Sequence, residues 1–223
     1  RYKKEFVIMN GHSNVGKTTT ALYLIANSAI RHDWKWLIYS SENRTASVKM
    51  HLMQFAADRK VGDMTYAQRK QAYKWVQDHF TIINNNQVYS YSDIIVFMEK
   101  VRAQQNIDAV FVDPYDGLPI APYAEDTEGG GKFVNRADCF VTIHRKVQAP
   151  DHNMRKLSEF HVRKVREVET GGQPTPLDEP YKLLMNLSHT GFSNWESREA
   201  LFQPIHFQGD EQSAINFSQI FDK

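Results

Sequence analysis

The 223 residues are 41% hydrophobic and 24% charged, an ordinary globular balance that supports a real core and excludes a disordered chain, a collagen or a mini-protein. Lys and Arg number 27 against 26 Asp and Glu, so the total charge of +1 neither requires nor forbids a polyanionic partner. The lone Cys139 cannot form an internal disulfide or a cysteine-rich zinc site, which favours a reducing, cytoplasmic setting.

Phe6-Val-Ile-Met9 is a short apolar run closed by Asn10-Gly11 and predicts a buried strand. Lys17 to Arg31 follows at helical spacing, then a second strand at Trp36 to Tyr39 and two helices over 45–57 and 66–80. Gln87 to Tyr89 suits a short strand, Ser92 caps a helix over 93–105, and Ala109 to Asp113 forms the next strand. Strands alternating with helices predict an α/β domain around a mostly parallel sheet. From Gly117 to Arg136 two prolines and three consecutive glycines predict a long loop, and 139–143, 160–166, 181–187 and 192–195 predict a β-rich final third. Gly171 to Pro176 predicts a turn. No run reaches the about 20 apolar residues of a membrane span. The charged start at Arg1 does not suit a signal peptide and, lacking Met, is expected to be cut from something longer.

Gly11-His12-Ser13-Asn14-Val15-Gly16-Lys17-Thr18 fits G-x-x-x-x-G-K-[ST] between a predicted strand and a predicted helix. In such a loop the backbone N–H groups, through Thr19, surround a phosphate. Lys17 neutralises its oxygens and the Thr18 hydroxyl holds Mg²⁺, so ATP with Mg²⁺ is the expected ligand. Asp113 closes an apolar strand, where an acid completes such a metal site and where an ordinary turn residue would also sit. Glu42, just past the second strand in Ser40-Ser-Glu-Asn43, suits a general base that polarises water, and equally a solvated turn residue.

Four features in order, the phosphate loop, Ser40-Ser-Glu42, Val112-Asp-Pro-Tyr-Asp-Gly-Leu118 and Val162-Arg-Lys-Val-Arg-Glu-Val-Glu-Thr-Gly-Gly172, resemble the RecA-like motor domain of DnaB-family (superfamily 4) hexameric replicative helicases, phage primase-helicases included. The resemblance implies a RecA-like P-loop NTPase core over 1–200 with a C-terminal extension over 201–223. It places the catalytic base on Glu42 and the Walker B acid on Asp113. Lys164 and Arg166 fall where the family inserts a Lys-x-Arg pair into the ATP site of the neighbouring subunit. Alternation on a strand puts these two on one face, although a basic solvated strand has the same pattern. It also implies single-stranded DNA threaded through a homo-oligomeric ring, a hexamer, in a bacterial or phage-infected cell, with a primase or other domain attached upstream.

The family's DNA loop falls on Glu128 to Ala137, so Gly129, Gly130, Gly131, Lys132 and Arg136 are the candidate phosphate contacts, against the alternative of a mobile surface loop. Charge is segregated to match: 132–166 holds nine Lys and Arg against three Asp and Glu, whereas 108–128 holds six acids and no Lys or Arg. Only 24 residues separate Asp113 from Asp138, too few for the helix and sensor strand that the family carries there. A RecA-type or circadian-type ATPase, or an ATP-binding assembly module with little hydrolysis, is therefore the alternative to a helicase motor.

Overall fold

The computed structural model describes residues 5–84, 91–113, 137–176, 178–186 and 188–208. They belong to two compact units. The first contains Arg1–Ala21 and Ala121–Leu201, the second Leu22–Ile120 and Phe202–Lys223.

The first unit is built on a five-stranded sheet. β1 (Val7–Asn10) pairs in parallel with β5 (Cys139–Arg145), and β6 (Leu157–Val165), β7 (Tyr181–Met185) and β8 (Phe192–Asn194) follow antiparallel in that order. Ile143 lies opposite Phe160, and both pack with Val15 in a core that Met9, Val141 and Leu183 extend. Side chains alternate across a strand, so Val141, Ile143 and Arg145 share one face of β5. The register slips between Phe140 and Val141, leaving Arg163 as the extra residue of a bulge on β6. β6 begins at Leu157, three residues before the predicted start, because Leu157 and Ser158 pair with β7. It ends at Val165, so Arg166 lies one step beyond the strand on which alternation places Lys164. A short helix, His152–Lys156, that the sequence reading did not anticipate joins β5 to β6, with the Asp151 carboxylate accepting the Asn153 N–H as its cap.

The second unit holds a parallel three-stranded sheet in the order β3-β2-β4, from Phe80–Ile82, Trp36–Ser40 and Ala109–Asp113. Leu37, Ile38 and Tyr39 are buried consecutively, as a central parallel strand covered on both faces demands. α4 (Tyr91–Gln104) supplies Ile94 and Val101 to a core with Leu37, Tyr39 and Ile83. α2 (Thr45–Ala57) ends at Asp58, whose backbone is left-handed (φ 44°). α3 (Tyr66–His79) starts on a capping box in which the Thr65 hydroxyl accepts the Gln68 N–H and the Gln68 side-chain oxygen accepts the Thr65 N–H. Phe80, expected to end that helix, instead opens β3, because its pairing with Trp36 outweighs local helical preference. α1 (Lys17–His32) starts in the first unit and continues in the second.

Among the described residues β1 pairs only with β5 and β4 only with β2, so the pairing found is two sheets rather than one. The strand expected at 87–89 and the loop expected at 117–136 lie outside the described residues.

Candidate nucleotide site

The phosphate loop leaves the C-terminal end of β1 and enters α1 at Lys17, with the Thr20 N–H already bonded to the Gly16 carbonyl at 2.9 Å. Three contacts shape it. The Asn10 side-chain oxygen accepts the Gly11 N–H at 2.7 Å, Val15 is buried against Ile143 and Phe160, and the Lys17 ammonium donates to the Gly11 and His12 carbonyls at 2.7 and 2.9 Å. Val15, expected among the nucleotide-binding residues, has its side chain in the core and anchors the loop there. His12, Ser13 and Asn14 are exposed, with Asn14 in a left-handed conformation (φ 64°), while Thr18 and Thr19 are half-buried in the first helical turn. Both loop glycines are required by geometry. A Cβ on Gly11 would lie 2.5 Å from the Ile143 carbonyl oxygen, and Gly16 sits at φ +90°.

In the second unit, β2 and β4 end together, with Ser40 paired to Asp113 and the Ser41 N–H donating to the Asp113 carbonyl at 2.8 Å. The Asn43 N–H and side-chain amide both donate to the Ser40 hydroxyl, at 3.2 and 3.1 Å. Glu42 lies at the crest of that turn, and Asp113 is 9% exposed at its base. The structure thus brings these two predicted carboxylates to one sheet end. Strand ends of this kind are where open α/β sheets bind ligands.

No family model matches the chain, and no curated protein matches it in sequence. Solved structures do match in fold. The ATPase domain of another protein aligns over 87% of this chain and 86% of its own at a TM-score of 0.64 and 14% identity. A DnaB-like replicative helicase, solved in a study of its interactions with primase, aligns at 0.59 and 14% identity, with 86% of this chain covering 59% of that one. The KaiC-like protein PH0186 of Pyrococcus horikoshii OT3 aligns at 0.53 and 14% identity over 85% of this chain and 88% of its own.

The fold is that of a RecA-like P-loop ATPase domain.

Within this ATPase fold, Lys164 and Arg166 are far from their own phosphate loop. Antiparallel pairing sets Phe160 beside Ile143 at the loop end of the sheet and Val165 beside Cys139 at the other. Six residues of extended chain from Phe160 put Arg166 about 20 Å away from the loop. There Arg166 forms an ion pair with Asp138, with its backbone N–H bonded to the Asp138 carbonyl at 2.8 Å. Asp138 also accepts the Phe6 N–H at 2.8 Å. The DNA-loop candidates Gly129, Gly130, Gly131, Lys132 and Arg136 lie outside the described residues.

One cation that the sequence reading passed over does reach the loop. Arg145 ends β5 on the Ile143 face, and its Nη1 lies 3.3 Å from where a Gly16 Cβ would stand. Its Nε donates to the Arg155 carbonyl at 2.5 Å, and burial pulls its proton affinity down, although a guanidinium stays charged at neutral pH. The available signal was a basic residue closing the strand parallel to β1, two positions after an apolar residue. Removing it by Arg145→Ala should weaken ATP binding about tenfold, the worth of one charge-assisted hydrogen bond. Calorimetric titration of nucleotide, with circular dichroism to confirm the fold, checks this.

Proposed function

We propose that the chain is an ATP-dependent motor domain, hydrolysing ATP to translocate single-stranded DNA through a homo-oligomeric ring, as in a replicative helicase. The observation that carries the ATPase part is the phosphate loop, curled at the end of β1 with Val15 buried beneath it and Lys17 spanning it. Lys17, Thr18 and the loop N–H groups hold the phosphates. Thr18 and Asp113 are the residues that would hold Mg²⁺, which when bound neutralises charge on the phosphate oxygens. Glu42 orients a water and takes its proton as the water oxygen attacks the terminal phosphorus. The bond to the bridging oxygen breaks, and ADP and inorganic phosphate leave.

The ring is supported by the position of Arg166. It is too far from its own loop to stabilise the charge that develops there, so a part in hydrolysis requires the loop of a neighbour. DNA binding draws on the basic stretch 132–166 and on the fold shared with a DnaB-like helicase. Gly129, Gly130, Gly131, Lys132 and Arg136 are proposed as the sequence-independent backbone contacts. The KaiC-like neighbour favours a second reading, an ATPase that switches a ring without moving along DNA.

Steady-state ATP hydrolysis with Mg²⁺, with and without single-stranded DNA, tests the proposal against Glu42→Gln. DNA-stimulated turnover that falls about 10²- to 10⁴-fold in the variant is the expected result for loss of a general base. Turnover indifferent to DNA selects the switching ATPase. ATP binding with no turnover in either protein selects an assembly module and overturns the motor.

A further inference from the structure

At the end of the first unit's sheet away from the phosphate loop, the start of β1, the start of β5 and the end of β6 meet. Asp138, just before β5, ties all three. Its main chain bonds both neighbours, the N–H donating to the Phe6 carbonyl and the carbonyl accepting the Arg166 N–H, each at 2.8 Å. Its carboxylate repeats the pattern, one oxygen accepting the Phe6 N–H at 2.8 Å and the other paired with the Arg166 guanidinium. A second guanidinium nitrogen donates to the adjacent Ala137 carbonyl at 3.5 Å. The Asp138 side chain is 21% exposed and that of Arg166 48%, so the carboxylate is set into the protein while the guanidinium rests at its surface.

Arg166 lies one residue past β6, where an untethered side chain of its length would spread over many rotamers. We propose that Asp138 is the positioning residue of the trans-acting arginine, holding the Arg166 guanidinium at one place on the surface so that a neighbour's nucleotide meets a charge already in position. A guanidinium carries five N–H donors in a rigid fork, so one edge can stay on Asp138 and Ala137 while another reaches a phosphate. Ordering the side chain before the subunits meet removes that cost from the contact itself. The same carboxylate holds the Phe6 N–H, and the four residues of β1 run from there to the phosphate loop. The place of Arg166 is therefore fixed relative to the strand that carries its own subunit's loop. The inference rests on Arg166 acting on a neighbour's nucleotide, as proposed above.

The test compares Asp138→Asn with the parent in the full-length, assembled protein. Asparagine keeps the shape and an oxygen for the Phe6 N–H, and loses the negative charge that pairs with Arg166. ATP turnover with Mg²⁺ should fall about tenfold, the weight of one charge-assisted hydrogen bond, with ATP affinity and melting temperature near the parent's. In an Arg166→Ala background the same change should cost less than about twofold, because Asp138 acts only through the guanidinium. An equal mixture of Asp138→Asn and Lys17→Ala chains should exceed the mean of the two alone several-fold, since an intact Lys17 meets an intact Asp138 only in the mixture. Asp138→Glu, which keeps the charge, should turn over faster than Asp138→Asn. Undiminished turnover in Asp138→Asn, an equal loss with and without Arg166, no gain in the mixture, or a glutamate variant no better than the asparagine overturns the proposal. Mixing Arg166→Ala with Lys17→Ala separates the failures. If that pair complements and Asp138→Asn with Lys17→Ala does not, only the part given to Asp138 is lost, whereas if neither complements, the trans reading is lost as well.

Discussion

Gly11→Ala should weaken nucleotide binding about 100-fold and destabilise the unit that carries the phosphate loop. The added methyl would stand 2.5 Å from the Ile143 carbonyl oxygen and 3.2 Å from the Val15 side chain, at a backbone φ of +156°. The obstructing atom is backbone in the strand paired with β1, so relief requires β1 and β5 to separate or the loop to lift off Val15. Overpacking and backbone strain of this kind cost about 2–4 kcal/mol together. Because the same shift misplaces the N–H groups that hold phosphate, ATP affinity should fall about 100-fold, the weight of two or more charge-assisted hydrogen bonds. Gly16→Ala provides the contrast. Its methyl would meet the Arg145 guanidinium at 3.3 Å, the far end of a side chain that can move, so its damage should be local to φ +90° and its melting temperature nearer the parent's. Thermal denaturation with nucleotide titration on both variants checks the order, and a Gly11→Ala protein that melts and binds like the parent would refute this geometry of the loop.

Lys17→Ala and Arg166→Ala should each lower ATP turnover about 10²- to 10³-fold, as expected for the loss of one charge that stabilises the transition state. On the proposed reading Lys17 acts on its own subunit's nucleotide, since its ammonium spans the loop that the phosphates would enter. Arg166 sits at the opposite end of the sheet, paired with Asp138, and on the proposed reading acts on a neighbour's nucleotide. The two defects should therefore complement. In an equal mixture about a quarter of the interfaces join an intact Lys17 to an intact Arg166, and turnover should recover in proportion. A mixture no more active than its components would show that Arg166 serves no neighbouring site.

The legible part of the site was local in sequence. The candidate phosphate loop is eight consecutive residues, so motif and context sufficed to place it between a strand and a helix. Glu42 and Asp113 were legible as strand-end acids for the same reason, because a carboxylate at or just past the end of an apolar run has few places to go. Element types were legible where periodicity was long, as in α2, α3 and the buried run of β2. They slipped where pairing rather than propensity decides, as at Phe80, which pairing with Trp36 turned from helix end to strand start.

What the sequence determined by itself is a glycine-bounded loop of the phosphate-binding pattern between a strand and a helix, its lysine, and an alternation of strands and helices that demands an α/β fold. What only the tertiary structure decided depends on register between segments distant in the chain. The parallel pairing of β1 with β5 brings Arg145 beside Gly16 and makes Val15 an anchor. The antiparallel pairing of β5 with β6 sends Arg166 away from its own loop. The meeting of three strand ends sets Asp138 between Phe6 and Arg166. Strand pairing is a long-range choice set by which faces bury together, and no local pattern encodes the partner.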